Sequence, residues 1–444
     1  MKYLIAILFV VVFFCDVYGV GLSFGPGLSV KNAMLYMAAM AFTLRMVVQG
    51  GFKFTLPRLH GAFALIIGYA LLSVLYLVLI VKWEDYRVFP AVIALKSNLI
   101  DHFLFFAVCY YGAQTTADAL HLLRILMYVV VASSVITVVN ASGVFTIGVM
   151  EISESGRVQG ALGEHNQYAS FLATMIPPLV AAFAVSRKAL AKLFWAGGIL
   201  LSLISMIMTV SRGGMLALIV ASLWGTFYFR RYLPVGRIVT AGALCLVAIL
   251  IFAALSGTYG ELLQERVIGQ TFVSTGDASS GRSEIWETAI NRMMESPWTL
   301  FTGFGWFAYE SMGFRFITHN TYLLWWFNLG VMGATAFTFI LAHVFRTASK
   351  ATAVASPEVR PHLMGLAVGV FALSVAIFFV NLFGPWSYIW SLVGLCTRLA
   401  VNELSARNQI RAEKAIAVNE ARGPRVRYGW RAAGTHQLGE LRSP

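Results

Sequence analysis

Residues 61–81 read GAFALIIGYALLSVLYLVLIV, an uncharged run flanked by Arg58-Leu59-His60 on one side and Lys82 on the other. At 1.5 Å per residue, a helix of this length covers the roughly 30 Å hydrocarbon core of a bilayer. Lipid offers no hydrogen bonds, so each spanning segment must satisfy its own backbone, which selects helices over open strands. The signature recurs along the chain. Twelve candidate spans fall at about 3–22, 30–49, 61–81, 97–113, 119–139, 167–185, 190–209, 213–229, 238–257, 319–345, 362–381 and 383–401. The alternating pattern of an outer-membrane barrel is absent. The expected fold class is an all-α polytopic membrane protein with about 12 transmembrane helices.

Composition agrees. Of 444 residues, 59% are hydrophobic and 12% charged, against roughly 25% charged in a soluble domain, and the mean hydropathy is +0.75. Met1-Lys2 followed by an apolar run resembles a signal peptide. No small-residue cleavage site is clear and many spans follow, so it reads as the first span. Cys15, Cys109, Cys245 and Cys396 are scattered singly inside apolar runs, without a disulfide framework or metal spacing. The net charge of +13 lies mostly in short loops and the tail, which is the distribution topology demands. It gives no reason to expect nucleic acid as a partner.

With the N-terminus inside, the inner connections hold Lys53, Arg58, Arg187, Lys188, Lys192, Arg230, Arg231, Arg237, Arg346, Lys350 and Arg360, and the tail after 401 adds many more. Ten of the 33 Lys and Arg fall outside: Lys31, Lys82, Arg87, Lys96, Arg157, Arg212, Arg266, Arg282, Arg292 and Arg315. This bias fits the positive-inside rule and puts both termini in the cytoplasm. The expected organisation is spans one to nine over 1–257, one long outer loop over 258–318, spans ten to twelve over 319–401, and a poorly ordered basic cytoplasmic tail over 402–444.

The outer arginines are informative because topology alone would remove them. Arg212 stands in Thr209-Val210-Ser211-Arg212-Gly213-Gly214, at the start of a span and beside glycines that would let a ligand approach the backbone. N–H groups at a helix start plus a guanidinium suit a phosphate. Taken alone, Arg212 reads equally as an arginine snorkelling to the interface. Arg282 follows Gly281 at the start of 282–294, where Ile285, Ala289 and Met293 recur at helical spacing. That predicts a short amphipathic helix at the membrane surface. His319-Asn320 opens the tenth span, with Asn320 placed to orient the ring, and Gly330 and Gly333 follow where they would allow close helix packing. Arg157 precedes Glu164-His165-Asn166 at the entry to the sixth span. No His pair has ligand spacing, so no metal and no cofactor are expected.

Together these residues suit a diphosphate substrate at the membrane surface. The chemistry would be displacement at a sugar carbon: arginines hold the leaving diphosphate, His319 accepts the proton of the incoming hydroxyl, and clefts between spans hold the lipid. A transporter is a rival reading. Its midplane charges would be Asp16, Arg45, Asp101, His102 and Arg124, most of which lie close to predicted span ends. A non-catalytic assembly partner would need no ordered arginine and histidine set.

The ordered motifs resemble the O-antigen ligase and O-antigen polymerase superfamily of bacterial envelope glycosyltransferases. They are Arg157 with Gly160 and Asn166-Gln167-Tyr168-Ala169, Ser211-Arg212-Gly213-Gly214, Gly281-Arg282 with Trp286, Gly303-Phe304-Gly305, and His319-Asn320 followed after nine residues by Gly330-Val331-Met332-Gly333. The resemblance covers about residues 1–400. It implies a C-type glycosyltransferase-like fold in the bacterial inner membrane, with the long loop as the periplasmic catalytic segment. It also implies an undecaprenyl-diphosphate-linked glycan donor and lipid A–core or a second lipid-linked glycan as acceptor, without metal. On that resemblance Arg212 and Arg282 bind the diphosphate and His319 assists the acceptor hydroxyl. Arg157, Asn166 and Asn320 are carried over as contacts to the diphosphate or glycan. The His-Asn…Gly-x-x-Gly pattern favours a ligase, with the polymerase as alternative. Glu164-His165 departs from the expected small or proline-like turn.

Overall fold

The computed structural model describes residues 1–19, 23–25, 27–49, 57–143, 145–148, 157–160, 162–233 and 281–421, with a few single positions between 233 and 281. The described chain is all helical apart from a two-stranded hairpin, β1 (Ser23–Gly25) with β2 (Leu28–Ser29). The helices are α1 (Lys2–Tyr18), α2 (Val30–Val48), α3 (Pro57–Tyr76), α4 (Val88–Leu95), α5 (Asp101–Gly112), α6 (Thr116–Ala141), α7 (His165–Val185), α8 (Ala189–Met208) and α9 (Arg212–Tyr228). After the gap come α10 (Arg282–Met294), α11 (Trp298–Thr302), α12 (Ala308–Ser311), α13 (Thr321–Thr352), α14 (Arg360–Ala376) and α15 (Trp386–Ala421).

Among the described residues six helical segments are long and apolar enough to cross a membrane: Arg58–Val81, Val88–Gly112, Thr116–Ala141, His165–Val185, Ala189–Met208 and Thr321–Thr352. The other predicted spans also hold helices, which are shorter or more polar, except that 238–257 lies outside the described residues. The core runs through the bundle centre, where α14 packs on α7, α9 and α13, and α15 packs on α5.

Small residues set these crossings. A Cβ on Gly369 of α14 would stand 2.4 Å from the Thr174 carbonyl of α7, and one on Gly365 would stand 2.9 Å from that of Pro177. Pro178 lacks the N–H that would have bonded the Thr174 carbonyl, so this face of α7 is an opened backbone that only a glycine surface can approach. Gly394 of α15 meets the Phe106 carbonyl of α5 in the same way, at 2.6 Å.

Two boundaries differ from the expected ones. The fourth span begins at Val88, not 97, because Lys96 does not end it. The chain passes Lys96 in one wide π turn, Lys96–Ile100, and continues. Asp101 and His102 therefore lie near the middle of this helix rather than at its end. Asp101 is compensated: Lys96 Nζ lies 2.8 Å away, Asn32 Nδ2 donates at 2.7 Å and Tyr36 Oη at 2.8 Å. A carboxylate with its charge and lone pairs so matched reads as a packing element and lends a transport pathway no support. The second difference is the tail, where α15 continues to Ala421 instead of ending near 401. Residues 403–421 are rich in Ala, Glu, Arg and Lys, strong helix formers that extend an existing helix without a new nucleus. Residues 422–444 lie outside the described residues.

The Gly369 contact makes a sharp prediction. Gly369→Leu should abolish recovery of monodisperse protein from membranes, since overpacking against backbone leaves no room to relax. Gly197→Leu should not, because a Cβ at Gly197 of α8 meets nothing within 4 Å. Size-exclusion profiles of the two variants check it.

Candidate active site

Three connections meet at one end of the bundle. The first is the entry to α7. Glu164 caps this helix, accepting from the N–H groups of Asn166 (3.1 Å) and Gln167 (3.3 Å), and lies 2.7 Å from His165 Nε2. Burial pushes the Glu164 carboxyl up, but the hydrogen bond and charge of His165 together with these N–H groups outweigh it and hold it below the usual carboxylate range. Gln167 Oε1 accepts from the N–H groups of Phe383 and Gly384, which ties α7 to the connection between α14 and α15.

The second is the turn from α8 to α9. Val210 sits at φ 49°, where a β-branched side chain costs on the order of 1–3 kcal/mol. Buried Arg157 holds the turn: Nε donates to the Thr209 carbonyl at 3.0 Å, and Nη2 to the Val210 carbonyl at 3.4 Å and Asn166 Oδ1 at 3.2 Å. Ser211 Oγ donates to the same Asn166 oxygen at 2.9 Å. The turn delivers Arg212 as the first residue of α9.

The third joins α10 to α13. Gly281 takes φ 82° and starts α10 at Arg282, the predicted first residue of the predicted amphipathic helix. Its buried stripe, Ala289 and Met293, packs on Tyr309, Leu323 and Phe327, so the apolar face meets protein rather than lipid. Trp286 Nε1 donates to the Thr318 carbonyl at 2.8 Å and fastens α10 to the loop that carries His319. His319 itself adopts φ 48°. Its neighbours are pinned: Thr318 Oγ1 donates to Asn381 Oδ1 at 3.0 Å, and Asn320 Oδ1 accepts the Leu323 N–H at 3.1 Å.

The electrostatics link these groups into one cluster. Burial lowers the pKa of Arg282, the nearby Arg212 charge lowers it further, and Glu164 opposes. Burial lowers the His319 pKa, the Arg282 charge reinforces this, Glu164 opposes, and His165 adds a smaller push down. His319 is therefore a neutral imidazole at neutral pH, as a proton acceptor must be. Among the described residues Arg282 has neither an ion pair nor a hydrogen bond for its guanidinium.

Several sequence expectations change. Arg157 and Asn166 spend hydrogen bonds on the α8–α9 turn, and Asn320 spends its side chain on capping α13 instead of orienting the His319 ring. Gly213 and Gly214 serve packing rather than ligand approach: a Cβ would stand 2.7 Å from Phe379 Cβ and 2.6 Å from Ala169 Cβ. Gly330, at φ 62°, breaks α13 and also lets it approach α11, where a Cβ would stand 2.1 Å from the Phe301 carbonyl oxygen. The carbonyls freed there are taken by the loop, Phe304 N–H on Phe327 (2.9 Å) and Gly305 N–H on Asn328 (2.8 Å). Arg292 pairs with Glu295 and Arg315 stacks on Phe316, while Arg266 lies outside the described residues. Asn381 was not among the sequence candidates, and Gln167 stood there only as part of a motif; the partners of both are remote in sequence, and no local signal marks these contacts.

Fold and site define a polytopic helical membrane protein with a cationic, histidine-bearing cluster at one end of its bundle. Residues 197–338 match the family model described as O-antigen ligase, a segment that takes in Arg212, Arg282 and His319 but neither Arg157 nor Asn166. Over that segment the chain is similar to the O-antigen ligase and polymerase superfamily, a family of membrane glycosyltransferase-type enzymes. No curated protein matches the chain.

The Glu164 cap sets a pH test. Its folded pKa is depressed, so its contribution is present above the ordinary Glu value of about 4.3 and is lost as pH falls through the lower folded value. Amide protection factors at Asn166 and Gln167 should hold at neutral pH and fall below that point. In Glu164→Ala they should be low at both, as hydrogen exchange read by mass spectrometry will show.

Proposed function

We propose that this protein transfers a glycan from an undecaprenyl-diphosphate carrier to an acceptor hydroxyl on the periplasmic face of the inner membrane. The observation that carries this reading is the convergence of Arg212, Arg282 and His319, from three distant connections, into one electrostatically coupled cluster. The acceptor oxygen attacks the anomeric carbon and the new C–O bond forms as the bond to the diphosphate breaks. The hydroxyl proton passes to the imidazole of His319, and the electron pair leaves with the diphosphate. Attack from the opposite face inverts the anomeric centre. Arg212 and Arg282 are fixed charges placed where the negative charge develops, which makes them worth more in the transition state than in the ground state. The family match and the His319-Asn320 pattern favour a ligase, with lipid A–core as acceptor.

Reconstituted protein with a lipid-diphosphate glycan and either lipid A–core or a second lipid-linked repeat tests this directly, since transfer to the repeat alone would make it a polymerase. Arg212→Ala, Arg282→Ala and His319→Ala should each cut transfer by about 100-fold or more, at unchanged membrane level. Full activity in all three would overturn the assignment. The acid limb of the rate profile should lie below pH ~6.5, because the lowered pKa keeps His319 neutral as pH falls through that value. A metal chelator should leave the rate unchanged.

A further inference from the structure

A second feature stands beside the cluster. A cleft of about 70 Å³ opens between α3, α5, α13, α15 and the segment 306–310. Its walls include Trp306, Trp325 and Trp386, and its polar groups include Glu310, Asn328 and Asn381. The indole N–H groups of Trp306 and Trp386 are spent on the carbonyls of Ala91 and Leu382. Glu310 is unusual: its Oε2 is buried and has no hydrogen-bond partner among the described residues. Burial raises the pKa of this carboxyl, while the Asn328 side chain opposes the rise. An orphaned buried carboxyl oxygen is unfavourable, and a ligand with a hydroxyl donor would relieve it.

The chemistry of the lining selects an occupant. Indole rings offer flat apolar surface, and a carboxyl with two amides offers acceptors and donors at its edge. A pyranoside ring carries both complements, apolar C–H faces and an equatorial rim of hydroxyls. An alkyl or prenyl chain would leave the Glu310 oxygen unpaired in an apolar site. The volume suits one ring: at roughly 10–15 Å³ per water it holds about five waters. The cleft is also joined to the His319 loop, since Asn381 accepts the Thr318 hydroxyl and Thr321 lines the cleft two residues beyond His319.

We propose that this cleft is a pyranoside-binding subsite, in which Glu310 accepts a sugar hydroxyl and the tryptophans hold the ring beside His319. That it receives the acceptor sugar rests on the transfer reading above, whereas sugar binding itself does not. The test uses the full chain in lipid nanodiscs, without donor. Tryptophan emission and calorimetry follow titration with methyl β-D-glucopyranoside, methyl α-D-mannopyranoside and methyl β-D-galactopyranoside. At least one glycoside should bind saturably, and Glu310→Ala should weaken it at least tenfold. The isosteric Glu310→Gln, with an unchanged melting temperature, should weaken it at least threefold. Arg282→Ala should bind the glycoside as the wild type does, so loss of transfer and loss of sugar binding are separately visible. The proposal is overturned by absence of saturable binding for all three glycosides, by wild-type affinity in both Glu310 variants, or by displacement of the glycoside by farnesol, which would mark a prenyl-chain site.

Discussion

The site hangs on the guanidinium of Arg157. Buried at the end of the bundle, it donates to the carbonyls of Thr209 and Val210 and to Asn166. Those carbonyls belong to a turn whose central valine lies in a region β-branched residues avoid. Charge-assisted bonds of this kind are worth about 1.5–3 kcal/mol each, comparable with the strain they oppose. The balance fixes where α9 begins and so where Arg212 stands. An arginine that looks like a ligand contact in the sequence is thus bonded to the turn from which α9 starts.

The same logic builds the other half. His319 adopts a positive φ between two residues that cannot move, one held by Asn381 and Trp286, the other capping α13. Behind it α13 is broken at Gly330, and the loop backbone of 304–305 bonds the exposed carbonyls. A long polar loop would otherwise be loosely attached to the bundle. Here it is stitched into the helix that follows it.

Legibility in the sequence followed the range of the interaction. The α10 helix was readable to its first residue because its apolar stripe repeats every four residues and Gly281 marks its start. Arg212 was readable as a helix start because an apolar run follows it, whereas α13 starts at Thr321, two residues beyond His319. The early start of the fourth span was not, because a charge at Lys96 reads as a boundary until its partner Asp101 is seen across a π turn. Nor was the use of Gly213 and Gly214, which depends on Ala169 and Phe379 from other helices. Asn381 serves Thr318 from 63 positions away, and no local pattern encodes that.

The cluster brings two guanidiniums together. Burial and then the Arg212 charge lower the Arg282 pKa, and the carboxylate that opposes them, Glu164, is also engaged with His165 and two backbone N–H groups. Buried like charges are tolerated where something restores neutrality. A dianionic diphosphate would restore it on binding, and its departure as a leaving group adds charge where the guanidiniums already stand. Burial, reinforced by the Arg282 charge, keeps His319 deprotonated at neutral pH. Once protonated, its imidazolium would face Arg282, a repulsion that the departing diphosphate is placed to screen. Under the proposed transfer, proton uptake and leaving-group departure would then favour each other, as a concerted displacement requires.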